Sequence, residues 1–224
     1  MSIVQTYNSF HIGSESGLTE LQMDQLTECF KRPLISTRSV LGGRNAFSII
    51  ELHGSGRVVI KNYSRGGLIR YFNRRTYIKL GQSRCESEYE LLRYIKKLNI
   101  SSLDPVAFVF KGTFFYNAWL VTKEIQQAQS LAEISLKDLD SAQIAMKALK
   151  QQIEVMLENR IFHVDLHPGN VLIDRTGKIY IIDFDKARIN VENTMQLRKM
   201  YISRWRRAVL KHHLPTILND LMNI

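Results

Sequence analysis

The sequence has few cysteines and no long apolar run, and each shortage argues against a class of protein. Its two cysteines, Cys29 and Cys85, lie far apart without metal-ligand spacing, which disfavours a disulfide framework and a zinc site. No stretch reaches the roughly 18 apolar residues that suggest a membrane span. The N-terminus lacks the basic-then-apolar pattern of a secretion signal, and we therefore expect a cytoplasmic protein.

The residues that are present suit a globular protein with an anionic partner. The chain has 224 residues, 45% of them hydrophobic, enough for one domain or two small lobes. Its 31 Lys and Arg against 21 Asp and Glu give a net charge of +10. This excess favours a nucleotide, a phospholipid or a nucleic acid as partner. Much of it lies in residues 65–75 and 198–211, each either a solvated helix face or a binding surface.

Hydrophobic patterning divides the chain near residues 124–129 into a β-rich part and a helical part, an α+β arrangement. Strands are predicted at 47–52, 58–61, 106–110 and 118–122. Helices are predicted at 18–30, 84–98, 137–159 and 197–209. We therefore expect an N-terminal extension of unclear role at 1–36, a β-rich lobe with one helix at 37–125, and a helical lobe at 126–224.

Segments 163–170 and 181–185 carry the strongest functional signal. Asp165 and Asn170 stand five residues apart, and Asp183 follows a hairpin predicted from strands at 171–173 and 178–182. In kinases, an Asp receives or orients the proton of the substrate hydroxyl, while an Asn five residues on and a later Asp hold metal ions. Polar turns use the same residue types, but both elements in this order favour phosphoryl transfer. We predict Asp165 as catalytic base and Asn170 and Asp183 as ligands of Mg²⁺, which suits oxygen donors better than zinc does.

The β-rich part supplies candidates for binding nucleotide phosphates. Lys61 ends a predicted strand, and Glu88 lies on the apolar face of the next helix, where a carboxylate needs a partner. A strand Lys and a helix Glu of this kind orient the phosphates in kinases. Gly42 and Gly43 occupy the place of a phosphate-covering loop, for which an ordinary hairpin turn is an equal alternative. His163 is predicted to scaffold its loop rather than to act as a general base.

At these residues the chain resembles the lipopolysaccharide kinases of Gram-negative bacteria, most closely those acting on 3-deoxy-D-manno-octulosonic acid (Kdo). The likeness rests on segments 60–68, 84–92, 120–131 and 182–186. It implies a two-lobed protein-kinase-like fold with a β-rich N-lobe and a small helical C-lobe. It also implies transfer of the γ-phosphate of ATP to a hydroxyl of Kdo in Kdo-lipid A, with Mg²⁺ bound. Glu124 and Ile125 would then belong to the nucleotide-binding hinge between the lobes.

The resemblance also implies the partners and leaves the acceptor open. An anionic glycolipid would explain the charge, and we expect peripheral contact with the inner face of the bacterial inner membrane and no nucleic acid partner. Arg65 and Arg70 are predicted to grip acceptor anions, and Trp205 either rests on the bilayer or packs in the core.

Segment 165–170 reads DLHPGN where the family more typically has Asp-Leu-Asn-x-x-Asn, and it looks like the loop of aminoglycoside phosphotransferases. A protein Ser/Thr or another small molecule therefore stays an alternative acceptor. A pseudokinase or a nucleic-acid-binding module is a third hypothesis, and nucleic-acid binding would show a steep salt dependence.

Overall fold

The structure is a computed structural model that describes residues 2–31, 35–38, 44–63, 77–78, 82–113 and 115–222. Gly42, Gly43 and the basic segment 65–75 with Arg65 and Arg70 lie outside the described residues. The chain divides into two compact units. The first comprises Met1–Thr37, Arg44–Arg93 and Asp104–Glu124, and the second Arg38–Gly43, Tyr94–Leu103 and Ile125–Ile224. None of the described helices has the length and apolar character needed to cross a membrane.

The first unit is built on a sheet of eight strands among the described residues. These are β1 (Ile3–Tyr7), β2 (Phe10–Ser14), β3 (Ile35–Arg38), β4 (Arg44–Leu52), β5 (Gly56–Asn62), β6 (Tyr77–Ile78), β7 (Pro105–Lys111) and β8 (Phe115–Lys123). Their spatial order is β1-β2-β7-β8-β5-β4-β3, with β6 paired to β8. The predicted strands at 47–52, 58–61, 106–110 and 118–122 are confirmed as parts of β4, β5, β7 and β8.

Two helices accompany this sheet, α1 (Glu20–Lys31) and α2 (Arg84–Lys97), which confirms the helices predicted at 18–30 and 84–98. The core contains apolar side chains of α1 and of the sheet, among them Ile12, Leu26, Ile60, Val109 and Val121. Residues 3–14, for which no strands were predicted, form the β1–β2 hairpin, and β2 pairs antiparallel with β7.

The register of β2 against β7 places Gly13 opposite Phe108. A Cβ atom at Gly13 would lie 2.0 Å from Phe108 Cζ. Glycine is therefore required there by the close approach of the ring.

The second unit is mainly helical and carries a small antiparallel sheet. Its elements are β9 (Gln129–Ser130), α3 (Leu131–Ser135), α4 (Leu139–Glu158), β10 (Val171–Ile173), β11 (Ile179–Ile181) and α5 (Thr194–Lys211), with 3-10 helices at Pro168–Asn170 and Thr216–Met222. The strand order is β11-β10-β9. Side chains of Ser130, Asp138 and Asn193 cap the starts of α3, α4 and α5. The α+β class, with one β-rich and one helical unit, is confirmed.

Helix α5 presents an apolar face to the core of the second unit. Leu197, Tyr201, Trp205 and Val209 are buried at the helical spacing predicted from the sequence. Trp205 is 1% exposed, and its Nε1 donates to the carbonyl of Leu218 at 2.7 Å. Core packing of Trp205 is therefore confirmed, and its alternative placement in a bilayer is wrong.

Candidate active site

A buried carboxylate in the first unit joins β5 to α2. Glu88 is 3% exposed, and its two carboxylate oxygens accept hydrogen bonds from Lys61 Nζ at 3.1 and 3.0 Å. The hydroxyl of Tyr63 donates to the same carboxylate. The Lys61 side chain is 34% exposed, so this network fixes a cation at the border between core and surface. The structure thus brings together the two residues that the sequence paired.

Strand and helix geometry explain why these side chains meet. Ile60 is buried in the sheet core, and because side chains alternate along a strand, Lys61 points to the other face. On α2, Glu88 lies in the buried stripe with Cys85, Tyr89 and Leu92. Burying a carboxylate is costly unless it is paired, and Lys61 and Tyr63 satisfy that requirement. Sequence reasoning gave Tyr63 no role, although its place two residues after Lys61 puts it on the same face of an extended chain.

In the second unit, the β10–β11 hairpin places Asn170 close to Asp183. Val171 pairs with Ile181, and the N–H of Ile182 donates to the carbonyl of Asn170 at 3.0 Å. The Asn170 Nδ2 donates to the backbone carbonyl of Asp165 at 2.9 Å. Because the amide nitrogen is engaged within the loop, the amide oxygen of Asn170 remains as the possible metal ligand.

Asp183 is half-buried and has a left-handed backbone conformation, with φ at 67°. Few non-glycine residues adopt this conformation, although aspartate does so more readily than most, and Asp183 is one of eight described non-glycine residues with a positive φ. At Asp183 the chain has left the extended geometry of β11, which ends at Ile181, so the loop and not the strand sets the direction of the Asp183 side chain.

Asp165 has a cationic partner that the sequence analysis missed. Arg204 Nη2 on α5 lies 2.5 Å from Asp165 Oδ1, with the two side chains 40% and 37% exposed. The helical periodicity of α5 predicts that Arg204 lies on a different face from the buried residues of that helix. No sequence pattern, however, indicates that its partner lies 39 residues earlier.

His163 is buried and serves as a scaffold of the loop, in line with its predicted role. Its Nε2 lies 2.9 Å from the carbonyl of Ile182, and its ring contacts Phe184 edge-on. Its backbone N–H donates to the hydroxyl of Tyr201, which itself donates to the carbonyl of Ile161, both at 2.8 Å. Burial lowers the pKa of His163, although Asp183 and Asp165 partly oppose this effect. A neutral imidazole therefore holds the segment between Asp165 and Asp183.

His167 also has a structural use. Its Nδ1 accepts the N–H of Gly169 at 3.1 Å and so caps the 3-10 helix Pro168–Asn170. Burial lowers the pKa of His167 as well. Among the described residues, no group of three or more His, Cys, Asp or Glu side chains is arranged to hold a metal ion.

The predicted hinge residues lie where the first unit ends and the second continues. Glu124 closes the first unit and Ile125 begins the last segment of the second. Glu124 Oε2 lies 2.6 Å from Arg57 Nε, and its backbone N–H donates to the carbonyl of Arg57 at 3.1 Å. Glu124 is thereby fixed against β5, and the predicted nucleotide contacts of Glu124 and Ile125 stay predictions.

Comparison with known proteins finds matches in a family model, among named relatives and among solved structures. A family model described as "Lipopolysaccharide kinase (Kdo/WaaP) family" matches residues 39–215. A protein of Xylella fastidiosa strain M23, named 3-deoxy-D-manno-octulosonic acid kinase, is 26% identical over 186 residues, or 82% of this chain and 68% of the relative. One of Vibrio parahaemolyticus with the same name is 31% identical over 159 residues, or 68% and 66% of the two chains. Among solved structures, the Cydia pomonella granulovirus kinase PK-1 is 16% identical, with 75% of this chain and 56% of the other covered and a TM-score of 0.47.

Proposed function

The chain belongs to the lipopolysaccharide kinase (Kdo/WaaP) family, and from that premise we propose that it transfers the γ-phosphate of ATP to a hydroxyl of Kdo in Kdo-lipid A. Membership of a kinase family implies the use of ATP. The observation that carries the proposal is the position of Asn170, whose side chain donates to the Asp165 carbonyl and whose own carbonyl accepts the N–H of Ile182, the residue before Asp183. The anchored Lys61–Glu88 pair supplies the cation that a triphosphate requires.

In the proposed reaction, Asp165, Lys61 and Arg204 have separate roles. The Asp165 carboxylate accepts the proton of the acceptor hydroxyl as the hydroxyl oxygen forms a bond to the γ-phosphorus. The bond between that phosphorus and the oxygen bridging to the β-phosphorus breaks, and ADP leaves. Lys61, oriented by Glu88, is proposed to bind the phosphates of ATP. Arg204 keeps the Asp165 carboxylate in one orientation through its 2.5 Å contact.

The loop residues fit Mg²⁺, which we propose is held by the amide oxygen of Asn170 and the carboxylate of Asp183. Both are hard oxygen donors, and Mg²⁺ usually keeps several waters and phosphate oxygens, so that two protein ligands suffice. The ion, when bound, would neutralise charge on the phosphates. The protein's own contribution is to fix these two ligands, through the bond of Asn170 to the Asp165 carbonyl and the left-handed backbone conformation at Asp183.

We propose that the enzyme works at the cytoplasmic face of the inner membrane, attached peripherally. A net charge of +10 supports this placement because a basic residue near an anionic surface contributes about 1 kcal/mol. Several such residues suffice for reversible attachment.

The test offers labelled ATP to the purified protein with Kdo-lipid A, a generic protein substrate or an aminoglycoside, and seeks one added phosphate by mass spectrometry. We expect label on the glycolipid alone. Asp165→Asn should lower turnover about 100-fold or more while nucleotide binding persists. Because the Asp165–Arg204 ion pair is half-exposed, Asp165→Asn should lower the free energy of unfolding by about 1 kcal/mol or less.

Asp140→Asn, on the exposed first turn of α4, is the matched control and should keep wild-type turnover. Asp183→Asn should raise the Mg²⁺ concentration needed for half-maximal rate. Label on the protein or the antibiotic but not on the glycolipid would reject the acceptor. Unchanged turnover of Asp165→Asn would reject the proposed base.

A further inference from the structure

A surface cavity of about 320 Å³ lies along α5, entirely within the second unit. Its lining includes Phe162, Lys199, Met200, Ser203, Arg204 and Arg207. Those on α5 recur at three- and four-residue spacing, so they form one helix face. This face is turned away from the buried stripe containing Tyr201 and Trp205, which anchors the helix. The cavity therefore has a fixed wall.

The cavity is cationic and its charge is only partly compensated. Three of its lining residues are basic, and no acidic residue lines it. Within the part of the chain that the structure describes, Lys199 and Arg207 form no ion pair. Their neighbour Arg198, by contrast, binds Glu154 through two hydrogen bonds of 3.0 and 2.8 Å. Guanidinium and ammonium groups arranged in this way favour a carboxylate or a phosphate.

An apolar surface accompanies the cations. The ring of Phe162, 9% exposed, and the half-buried Met200 line the cavity, and the hydroxyl of Ser203 adds a polar group. Small-molecule sites combine apolar walls with a few placed polar groups in this manner. The volume is at the lower end of the range of about 300–1,000 Å³ for such sites.

The cavity is connected to the proposed catalytic base through a single side chain. Arg204 lines the cavity and also contacts Asp165 Oδ1 at 2.5 Å. A ligand held against this guanidinium would therefore lie beside the carboxylate that receives the hydroxyl proton. This juxtaposition distinguishes the cavity from a general basic surface.

We propose that the α5 cavity is the acceptor subsite, in which Lys199 and Arg207 bind an anionic group of the sugar acceptor while Arg204 keeps the acceptor next to Asp165. The inference rests on the proposed function and specifies where the acceptor binds. The anionic group is either a sugar carboxylate or a phosphate of the glycolipid, since both suit the same cations.

The test compares Lys199→Ala and Arg207→Ala with Arg206→Ala, a matched control that removes one exposed α5 charge outside the cavity. The acceptor is a deacylated, water-soluble Kdo-lipid A, so attachment to a bilayer does not contribute to the rate. Each cavity variant should raise the KM for the acceptor about tenfold, equivalent to about 1.4 kcal/mol, with the KM for ATP unchanged. The control should change the acceptor KM less than twofold. Thermal denaturation checks that all three variants fold.

Two modified acceptors identify the group that is bound. If Lys199 and Arg207 hold the carboxylate, the difference between wild type and variants should disappear with a Kdo carboxamide acceptor. If they hold a phosphate, it should disappear with an acceptor lacking the lipid A phosphates. Cavity variants that match Arg206→Ala with every acceptor would overturn this inference while leaving the glycolipid activity of the wild type intact. A wild type that phosphorylates no Kdo glycolipid would instead overturn the proposed function, and this inference with it.

Discussion

Replacing Glu88 by Gln tests the proposed phosphate-binding pair most directly, because the change keeps the shape of the side chain and removes its charge. Glu88 accepts two hydrogen bonds from Lys61 and one from Tyr63, in a position 3% exposed. An amide retains one acceptor oxygen, and its NH₂ group would face a donor. At least one hydrogen bond to a charged group is lost, at a cost of about 1.5–3 kcal/mol.

The partial exposure of Lys61 limits how far Glu88→Gln lowers the free energy of unfolding. Removing one partner of a fully buried ion pair costs about 3–5 kcal/mol. Lys61 is 34% exposed and can turn towards water, so we expect the free energy of unfolding to fall by about 2 kcal/mol. For a chain of this length, that lowers Tm by about 4–8 °C. Because Lys61 loses its anchor, the KM for ATP should rise about tenfold or more.

Thermal denaturation and steady-state kinetics with varied ATP provide the assay, with two companion variants. Glu90→Gln, two residues along α2, changes a half-exposed carboxylate that pairs with Arg93 and accepts a hydrogen bond from Ser2. Because the amide keeps an acceptor oxygen, the change should cost less than about 1 kcal/mol. Tyr63→Phe removes the hydrogen bond from the hydroxyl to Glu88 and should cost about 1 kcal/mol with the KM for ATP near that of the wild type. If Glu88→Gln proved no more destabilising than Glu90→Gln and bound ATP normally, the network would have no part in holding Lys61.

Two further predictions concern pH and packing. Burial lowers the pKa of His163, and also that of His167, below the unfolded value, so the unfolded chain binds more protons at acidic pH. His163 alone should make the free energy of unfolding fall below about pH 6.5 by up to about 1.4 kcal/mol per pH unit. Urea denaturation at several pH values measures this slope, and a slope equally steep in His163→Gln would contradict the assignment. Gly13→Ala should destabilise the first unit by about 1–3 kcal/mol, since the new methyl meets the buried Phe108 ring. Adding Phe108→Leu should recover part of that loss, and a Gly13→Ala protein as stable as the wild type would show that the ring can move aside.

The parts of the fold that sequence could predict are those with local patterns. Apolar periodicity gave α2, α4 and α5, and alternation around a Gly-containing turn gave the β4–β5 hairpin. The β1–β2 hairpin escaped prediction because β1 keeps every side chain at least partly exposed and so shows no clear alternation. Its position is determined by pairing with β7, a contact that no local pattern encodes.

The same distinction holds at the candidate site. Asp165, Asn170 and Asp183 could be proposed as one site from the sequence because they belong to one loop and the hairpin that follows it, and the structure shows that hairpin and the bond from Asn170 to the Asp165 carbonyl. Arg204 could not, since its contact with Asp165 depends on how α5 packs through Tyr201 and Trp205. Periodicity predicts the helix face on which Arg204 lies, but its partner Asp165 is determined by tertiary packing.

The pairing of β2 with β7 also has a consequence for how the protein is made. Phe10 lies opposite Lys111, so a nascent chain exposes the β1–β2 hairpin about 100 residues before its neighbour exists. A lone hairpin is marginal in water, and its unpaired edge can recruit other strands. The main sheet is therefore completed only after β8, at Phe115–Lys123, has left the ribosome, and until then the edge of β2 that later pairs with β7 is open to other strands.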